Sequence, residues 1–390
     1  MSKHRELDMT LLGQTALDPF FGTTTSARGA MMNTHIGQAP VVEDNEGRRI
    51  YTGAEMLYGA KTFDVEFPVD AEVRHVLRKY PTGIGHDSIQ KNPLVTIIYE
   101  HYYDHYKTVG VVHVPEFTSL HQDFGFQLHK NNDVWENLSP GEVFEKGTKL
   151  AQSSAVKKNG MYGIGLSAAC VFLSHPGTIE DGFVMSESFT KRISPRIYNT
   201  AVVGCGRKAF LLNLYGDENL YKPFPDIGDI IRSDGVIFAQ RDIDDDLAPA
   251  DMTPRALRTI DRAFDRPVIG KAGARVVDIT VYHDSQTNPQ STPVGMDGQL
   301  RKYYDAQATY YRRILEIYQG LRRRGETLRM TPEMSQLVVE AQIFLPTLEG
   351  KRKLSRMHRL ESLDEWRIEL TYEVIMEPSE GYKGSDLHGG

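Results

Sequence analysis

Hydrophobic positions change their period along the chain, and the changes divide it. Two β-branched runs, Leu94-Val-Thr-Ile-Ile-Tyr99 and Thr108-Val-Gly-Val-Val-His-Val114, predict strands flanking a turn. Just before them Val73, Val76 and Leu77 recur at helical spacing and predict a helix over residues 70–79. Residues 138–158 set two glycine turns around short extended pieces, and the runs at 198–212, 226–231 and 235–239 continue that short-strand rhythm. Gly165-Leu-Ser-Ala-Ala-Cys-Val-Phe-Leu173, small and β-branched residues between turn formers, predicts a buried strand.

From residue 297 the period lengthens. Leu300, Tyr303, Tyr310, Ile314, Ile317 and Leu321 describe one stripe of a long helix, with Gln307 at its one polar core-type position. Met334, Leu337, Ala341 and Phe344 repeat the spacing after Pro332, which suits a first helical turn, so two helices over 299–345 should pack as an antiparallel hairpin. Trp366, Ile368, Leu370, Tyr372 and Val374 then alternate with Arg367, Glu369, Thr371 and Glu373 as a half-buried strand. At the other end, residues 1–45 lack periodicity. Asp18-Pro19 reads as a turn, and Thr23 to Ser26 as the cap of a short helix through Met31 and Met32 with Arg28 as its cationic handle. The whole reads as a β-rich α+β chain.

With 390 residues, 40% hydrophobic and 25% charged, there is room for two or three domains with ordinary cores. No apolar run approaches the roughly 18 residues of a membrane span, and the polar N-terminus has no signal-peptide core, so an intracellular protein without membrane contact is expected. Cys170 and Cys205 are too few for a disulfide framework or a four-cysteine site, which points to a reducing compartment and no structural zinc. A net charge of -7 gives no global attraction to nucleic acid, so such contacts must come from local basic patches or partner chains.

Candidate chemistry centres on Gly177-Thr-Ile-Glu180-Asp181-Gly182-Phe-Val-Met-Ser186-Glu187. Adjacent side chains on an extended segment point to opposite faces, so Glu180 and Asp181 are either a solvated acidic turn or a pair with one member facing a cation, a base or water. His101-Tyr-Tyr-Asp104-His105 lacks a third ligand at a defined spacing and reads as a hydrated turn with aromatic edges. Asp242-Ile-Asp-Asp-Asp246 lacks the glycine and distal glutamate of a calcium-binding hand and reads as a solvated loop. The basic runs Arg322-Arg-Arg324 and Lys351-Arg-Lys353, with Arg356 and Arg359, read as solvated flanks of the helical hairpin.

Several separated segments together resemble the β subunit of multisubunit DNA-directed RNA polymerases, most of all the split β subunits of giant (jumbo) bacteriophages. Thr178-Ile-Glu180-Asp181-Gly-Phe-Val-Met-Ser186-Glu187 is similar to that family's Asn-Phe-Glu-Asp-Ala-hydrophobic-Ser-Glu signature, with Thr178-Ile179 in place of Asn-Phe. Upstream, Lys146-Gly147-Thr-Lys-Leu-Ala151 resembles its lysine-glycine segment. Leu17-Asp-Pro19-Phe-Phe21, Ala27-Arg28-Gly-Ala-Met31 and Gln38-Ala39 resemble its Pro-Phe, Asn-Arg-Ala-Leu-Met and Arg-Gln segments, with Gly37 replacing the arginine. Lys383-Gly-Ser-Asp-Leu-His388-Gly389 looks like its Lys-Met-Ala-Gly-Arg-His-Gly loop.

The resemblance implies a fragment that begins and ends inside the family's sequence, with the loop's second lysine in a continuation past Gly390 or in another chain. It implies a fork or active-site approach at 1–45, a mixed α/β segment at 46–137 and parts of a double-psi β-barrel at 138–197 and 366–390. An inserted flap-like domain would occupy 198–365. Asp181, with Glu180, would orient nucleotide-borne Mg2+ through water, the main magnesium ligands being in a partner β′ chain. Lys383 would hold the RNA 3′ end or incoming phosphate, Arg28 the triphosphate, and Gln38 and His388 would lie near the RNA. Implied partners are the remaining polymerase chains, DNA template, RNA transcript, nucleoside triphosphates and an initiation factor at the flap. The compartment would be the infected bacterial cytoplasm or the phage virion. The alternative is a non-catalytic scaffold protein of a phage particle derived from such a subunit.

Overall fold

A computed structural model describes residues 13–61, 64–80, 93–103, 106–119, 124–174, 176, 183–206, 208–243, 252–283, 293–323, 329–348, 364–376 and 387–389. Helices α1 (Ser26–Gln38) and α2 (Ala54–Lys61) precede β1 (Val65–Glu66), β2 (Ala71–Arg78), β3 (Leu94–Tyr103), β4 (Tyr106–Pro115), β5 (Phe117–Ser119), β6 (Phe124–Gln127) and β7 (His129–Lys130). The short α3 (Asn132–Glu136) leads to β8 (Val143–Phe144), β9 (Lys149–Gln152), β10 (Phe183–Met185), α4 (Glu187–Arg192), β11 (Arg196–Gly206), β12 (Ala209–Leu211) and β13 (Val236–Asp242). Then come α5 (Pro254–Arg258), β14 (Asp265–Ile269), β15 (Arg275–His283), α6 (Asp297–Arg323), β16 (Arg329–Met330), α7 (Pro332–Leu348), β17 (Asp364–Ile375) and β18 (Leu387–Gly389). The protein is a β-rich α+β chain.

Two five-stranded sheets carry it, ordered β16-β4-β3-β2-β8 and β15-β17-β11-β6-β5. Smaller sheets are ordered β12-β13-β14 and β1-β9-β7, and β10 pairs with β18 alone. The β3–β4 hairpin forms where the two β-branched runs predict it, in unbroken antiparallel register from Leu94↔Pro115 to Tyr103↔Tyr106. Its two faces serve different cores. Val95, Ile97, Val112 and Val114 pack with Phe67, Phe126 and Leu150, whereas Ile98, Val109 and Val111 pack against α6 and α7.

Helix α6 joins the two halves of the molecule. Leu300, Tyr303, Tyr304, Ala306 and Ala308 enter the core built on β11, β15 and β17. Tyr310, Ile314 and Ile317, further along the same stripe, enter the core shared with α7 and the β3–β4 hairpin. Asp297 in its first turn and Arg322 and Arg323 in its last complement the helix dipole. Gln307 is buried, as its place in the stripe predicts, and its side-chain oxygen accepts from the backbone N–H of Val281 at 2.9 Å. Thr331 caps α7 by accepting from Met334 N–H at 3.3 Å, with Pro332 in the first turn where its missing N–H costs nothing.

Three sequence expectations fail. Residues 70–79 form a strand, not a helix: β2 pairs antiparallel with β3, and Ala71 and Val73 are fully buried. A register shift between Val73 and His75 inserts one extra residue, so Val73 and Val76 both face the same core while Leu77 faces the other. A β-bulge thus reproduces the three-residue spacing of a helix. Residues 165–173 make no strand, and Val171, Phe172 and Leu173 are 79%, 100% and 63% exposed. No described strand pairs with them, and without a ladder a small-residue run has no reason to be extended and buried. Residues 226–231 contribute one isolated bridge, Ile230↔Arg275, because Asp226 is drawn to Tyr303 and Gln299 of α6 at 2.7 and 3.0 Å.

Candidate functional site

The site residues expected from sequence fall on three pieces of backbone. Thr25 caps α1, its hydroxyl oxygen accepting from the backbone N–H of Arg28 at 3.4 Å, which fixes Arg28 in the first turn. Its exposed side chain makes no ion pair among the described residues, and it lines a cleft of about 430 Å³ with Met31, His35, Arg48 and Ile164. A guanidinium beside a second arginine and an imidazole in an open cleft favours an anion. Arg48 is held in place by donating to the carbonyl of Leu17 at 2.5 Å. Gln38 closes α1.

The second and third pieces meet. β10 and β18 run parallel, with Phe183 opposite Leu387, Val184 opposite His388 and Met185 opposite Gly389. Glu180, Asp181 and Lys383 lie outside the described residues, as do Asp104, His105, residues 244–246 and the lysine-rich run at 351–353. Asp181 precedes Phe183 by two residues and Lys383 precedes Leu387 by four. In a parallel pair both strands are entered from the same end.

The end of the acidic motif has a structural explanation. Ser186 caps α4 by accepting from Phe189 N–H at 3.3 Å, and Glu187 pairs with Lys191 at 2.6 Å. The cap places the last strand residue, Met185, directly before a helix. Arg192 at the far end of α4 reaches Glu46 at 2.9 Å, and Glu46 N–H donates to the Gly165 carbonyl at 2.8 Å. Hydrogen bonding to Arg192 lowers the Glu46 carboxyl below its ordinary pKa. These contacts tie the segment following α1 to the elements around β10.

Sequence reasoning missed a buried ionic group beneath this region. Glu373 sits on the face of β17 expected to be wet, yet it is buried, because β17 runs between β11 and β15 and both neighbours send it an arginine. Burial would raise its carboxyl, but Arg275, at 2.7 Å, and Arg196 hold it below the usual range. Nearby, burial pushes Glu116 up to about 7 and Lys130 down to about 8. An arginine on each neighbouring strand was the available signal, and it is unreadable until strand order is known.

Among the described residues no three His, Cys, Asp or Glu side chains converge as a metal-ligand set. Nor, among them, is any helix long and apolar enough to cross a membrane. No protein-family model matches this chain, and no curated protein matches it.

Proposed function

We propose that the chain is a fragment of the β subunit of a DNA-templated RNA polymerase that helps to complete a nucleotide-addition site. The observation that carries this reading is the β10–β18 ladder. Two motif-bearing segments about 200 residues apart in the sequence run side by side, Phe183 against Leu387. An acid pair and a lysine acting together are what phosphoryl transfer calls for, together with donors for the triphosphate such as Arg28, which makes no ion pair among the described residues. The finer architecture in this reading is a double-psi β-barrel assembled from 138–197 and 366–390 with a flap-like insertion at 198–365. At the start of the β11–β17 ladder, Arg196 pairs with Ile375 and Ile197 with Val374, which supports the joining of those parts, while the rest of β11 belongs to the span of the insertion.

In this reading Asp181, with Glu180, orients the nucleotide, Lys383 holds the RNA 3′ end or a phosphate as a point charge, and Arg28 forks onto the triphosphate. Gln38 and His388 line the RNA side. Magnesium, bound chiefly by a partner β′ chain, would supply neutralisation of the phosphates. The other partners are the remaining polymerase chains, template DNA, transcript and nucleoside triphosphates.

The test is primer extension by the assembled complex purified through this chain. Asp181→Ala and Lys383→Ala are each expected to slow addition about 100-fold with assembly intact, as loss of one charge-stabilising group does. Lys191→Ala, at an exposed position paired with Glu187 and outside the proposed site, should leave the rate unchanged. Normal extension by Asp181→Ala would sink the proposal. So would purification that recovers particle structural proteins and no chain with a magnesium-binding aspartate loop, the result a scaffold protein would give.

A further inference from the structure

A cavity of about 300 Å³ lies between the α6–α7 hairpin and the sheet, lined by His113, Gln307, Tyr310, Tyr311, Glu333 and Glu340 among others. A second, of about 180 Å³, adjoins it through the shared walls of Gln307, Tyr311 and Glu340 and continues to Tyr282. The charges around this space do not balance. Lys79 reaches the wall but is already bound by Asp278 at 2.6 Å and by Thr280 at 3.2 Å. Burial lowers the pKa of His113, so at neutral pH it brings no positive charge. Burial pushes Tyr311 up to about 12, with Glu340 adding to the shift, so its hydroxyl remains a neutral donor.

Two carboxylates are left over. Glu340 is half-buried and receives a hydrogen bond from the neutral side-chain amide of Gln336 at 3.2 Å; Glu333 stands exposed at the mouth. Neither makes an ion pair among the described residues. A carboxylate partly withdrawn from water with no cation beside it is costly, and an aromatic wall next to it favours an organic cation over a hydrated metal ion. An anion would be repelled, and a neutral ligand would leave Glu340 uncompensated.

Helix geometry sets the length of the ligand. Seven residues separate Glu333 and Glu340 on one face of α7, a rise of about 10 Å. We infer that this cavity binds a linear aliphatic polyamine, one ammonium group at Glu340 inside and another at Glu333 at the mouth, its methylenes along Tyr311 and Leu337. Binding here is independent of any role in nucleotide addition: a chain that fails primer extension would still take up the amine.

The measurement is isothermal titration of the full chain with spermidine, beside magnesium chloride at matched ionic strength. One saturable equivalent of spermidine is expected, with a concentration-dependent rise in Tm. Glu340→Gln should weaken binding about tenfold or more, the effect of removing a charge-assisted bond. Glu333→Gln, at an exposed position in the first turn of α7, should weaken it less, and Glu316→Gln on the outer face of α6 should not matter. Equal affinity for wild type, Glu340→Gln and Glu333→Gln would overturn the inference. Unsaturable uptake that magnesium displaces equally from all variants would also overturn it, being general attraction to an acidic chain.

Discussion

Lys79, just past β2, places its ammonium 2.6 Å from a carboxylate oxygen of Asp278 in β15, while the hydroxyl of the adjacent Tyr80 donates to the carbonyl of Ile279. One short stretch of chain thereby fastens the sheet built on the β3–β4 hairpin to the sheet built on β11 and β17. Both charged groups are largely withdrawn from water, at 14% and 21% exposure, so removing one strands the other. Asp278→Ala is expected to cost about 2 kcal/mol in urea unfolding. A loss under about 0.5 kcal/mol would put the pair with ordinary surface ion pairs and refute the fastening role.

Glu116 should make stability fall as pH rises toward neutrality. Its folded pKa of about 7 lies above the ordinary 4.5, so the folded state holds the proton more tightly. That contribution is fully present below pH 4.5 and is lost as pH climbs through about 7. Glu116→Gln keeps the neutral form at every pH. It should be near neutral at pH 4.5 and stabilise by at most about 3 kcal/mol at pH 8. Lys130 acts in another window: its depressed pKa of about 8 means its penalty is full below pH 8 and is relieved as pH rises toward 10.5. Parallel pH profiles of Tm for wild type and Glu116→Gln would contradict this account.

Gln307 is a polar residue in an apolar stripe, and its value lies in the backbone it satisfies. Gln307→Leu keeps the helix pattern but leaves Val281 N–H, in β15, without its acceptor. Loss of about 1–3 kcal/mol is expected, with faster hydrogen exchange at the Val281 amide. Unchanged exchange at that amide would show the bond to be dispensable.

Gly59 sits inside α2, where alanine is ordinarily better by about 1 kcal/mol. Here a Cβ would stand 2.0 Å from the carbonyl oxygen of Gly160. Overpacking against backbone costs about 1–3 kcal/mol and should win. Gly59→Ala is therefore expected to lower Tm, and a raised Tm would mean that α2 and the 160 turn move apart freely.

How much of this could be read in advance depended on whether the signal was local. The β3–β4 hairpin, the Thr25 cap, α6 with its Gln307 and α7 after Pro332 were legible, since each rests on residues a few positions apart. The bulge in β2 was not: an extra residue at Arg74 reproduces helical spacing, and pairing with β3 decides between them. Glu373 misled for a related reason, because alternation marks it as the wet face of a strand whose central position in the sheet is invisible in sequence. Of the candidate site, Arg28 lies on the predicted helix in an open cleft, and the segments leading from Asp181 and Lys383 meet in a ladder that no local pattern announces. The Glu333–Glu340 cavity left no motif, since its walls come from β3, β4, the residue just past β2 and two helices.

The strand order β15-β17-β11 also has a consequence for synthesis. β17 is the last of the three to be made and lies between the other two, so β11 waits for its principal partner while the ribosome translates the 157 residues between Gly206 and Asp364. At about 5–20 residues per second this is a delay of roughly 8–30 seconds. During it, Cys205, buried against Trp366 in the finished sheet, stays open to the cell's thiol chemistry. In a Cys170→Ser background, nascent chains arrested before residue 364 should be labelled at Cys205 by a maleimide and released full-length chains should not; equal protection in both would mean that something else shelters the waiting strand.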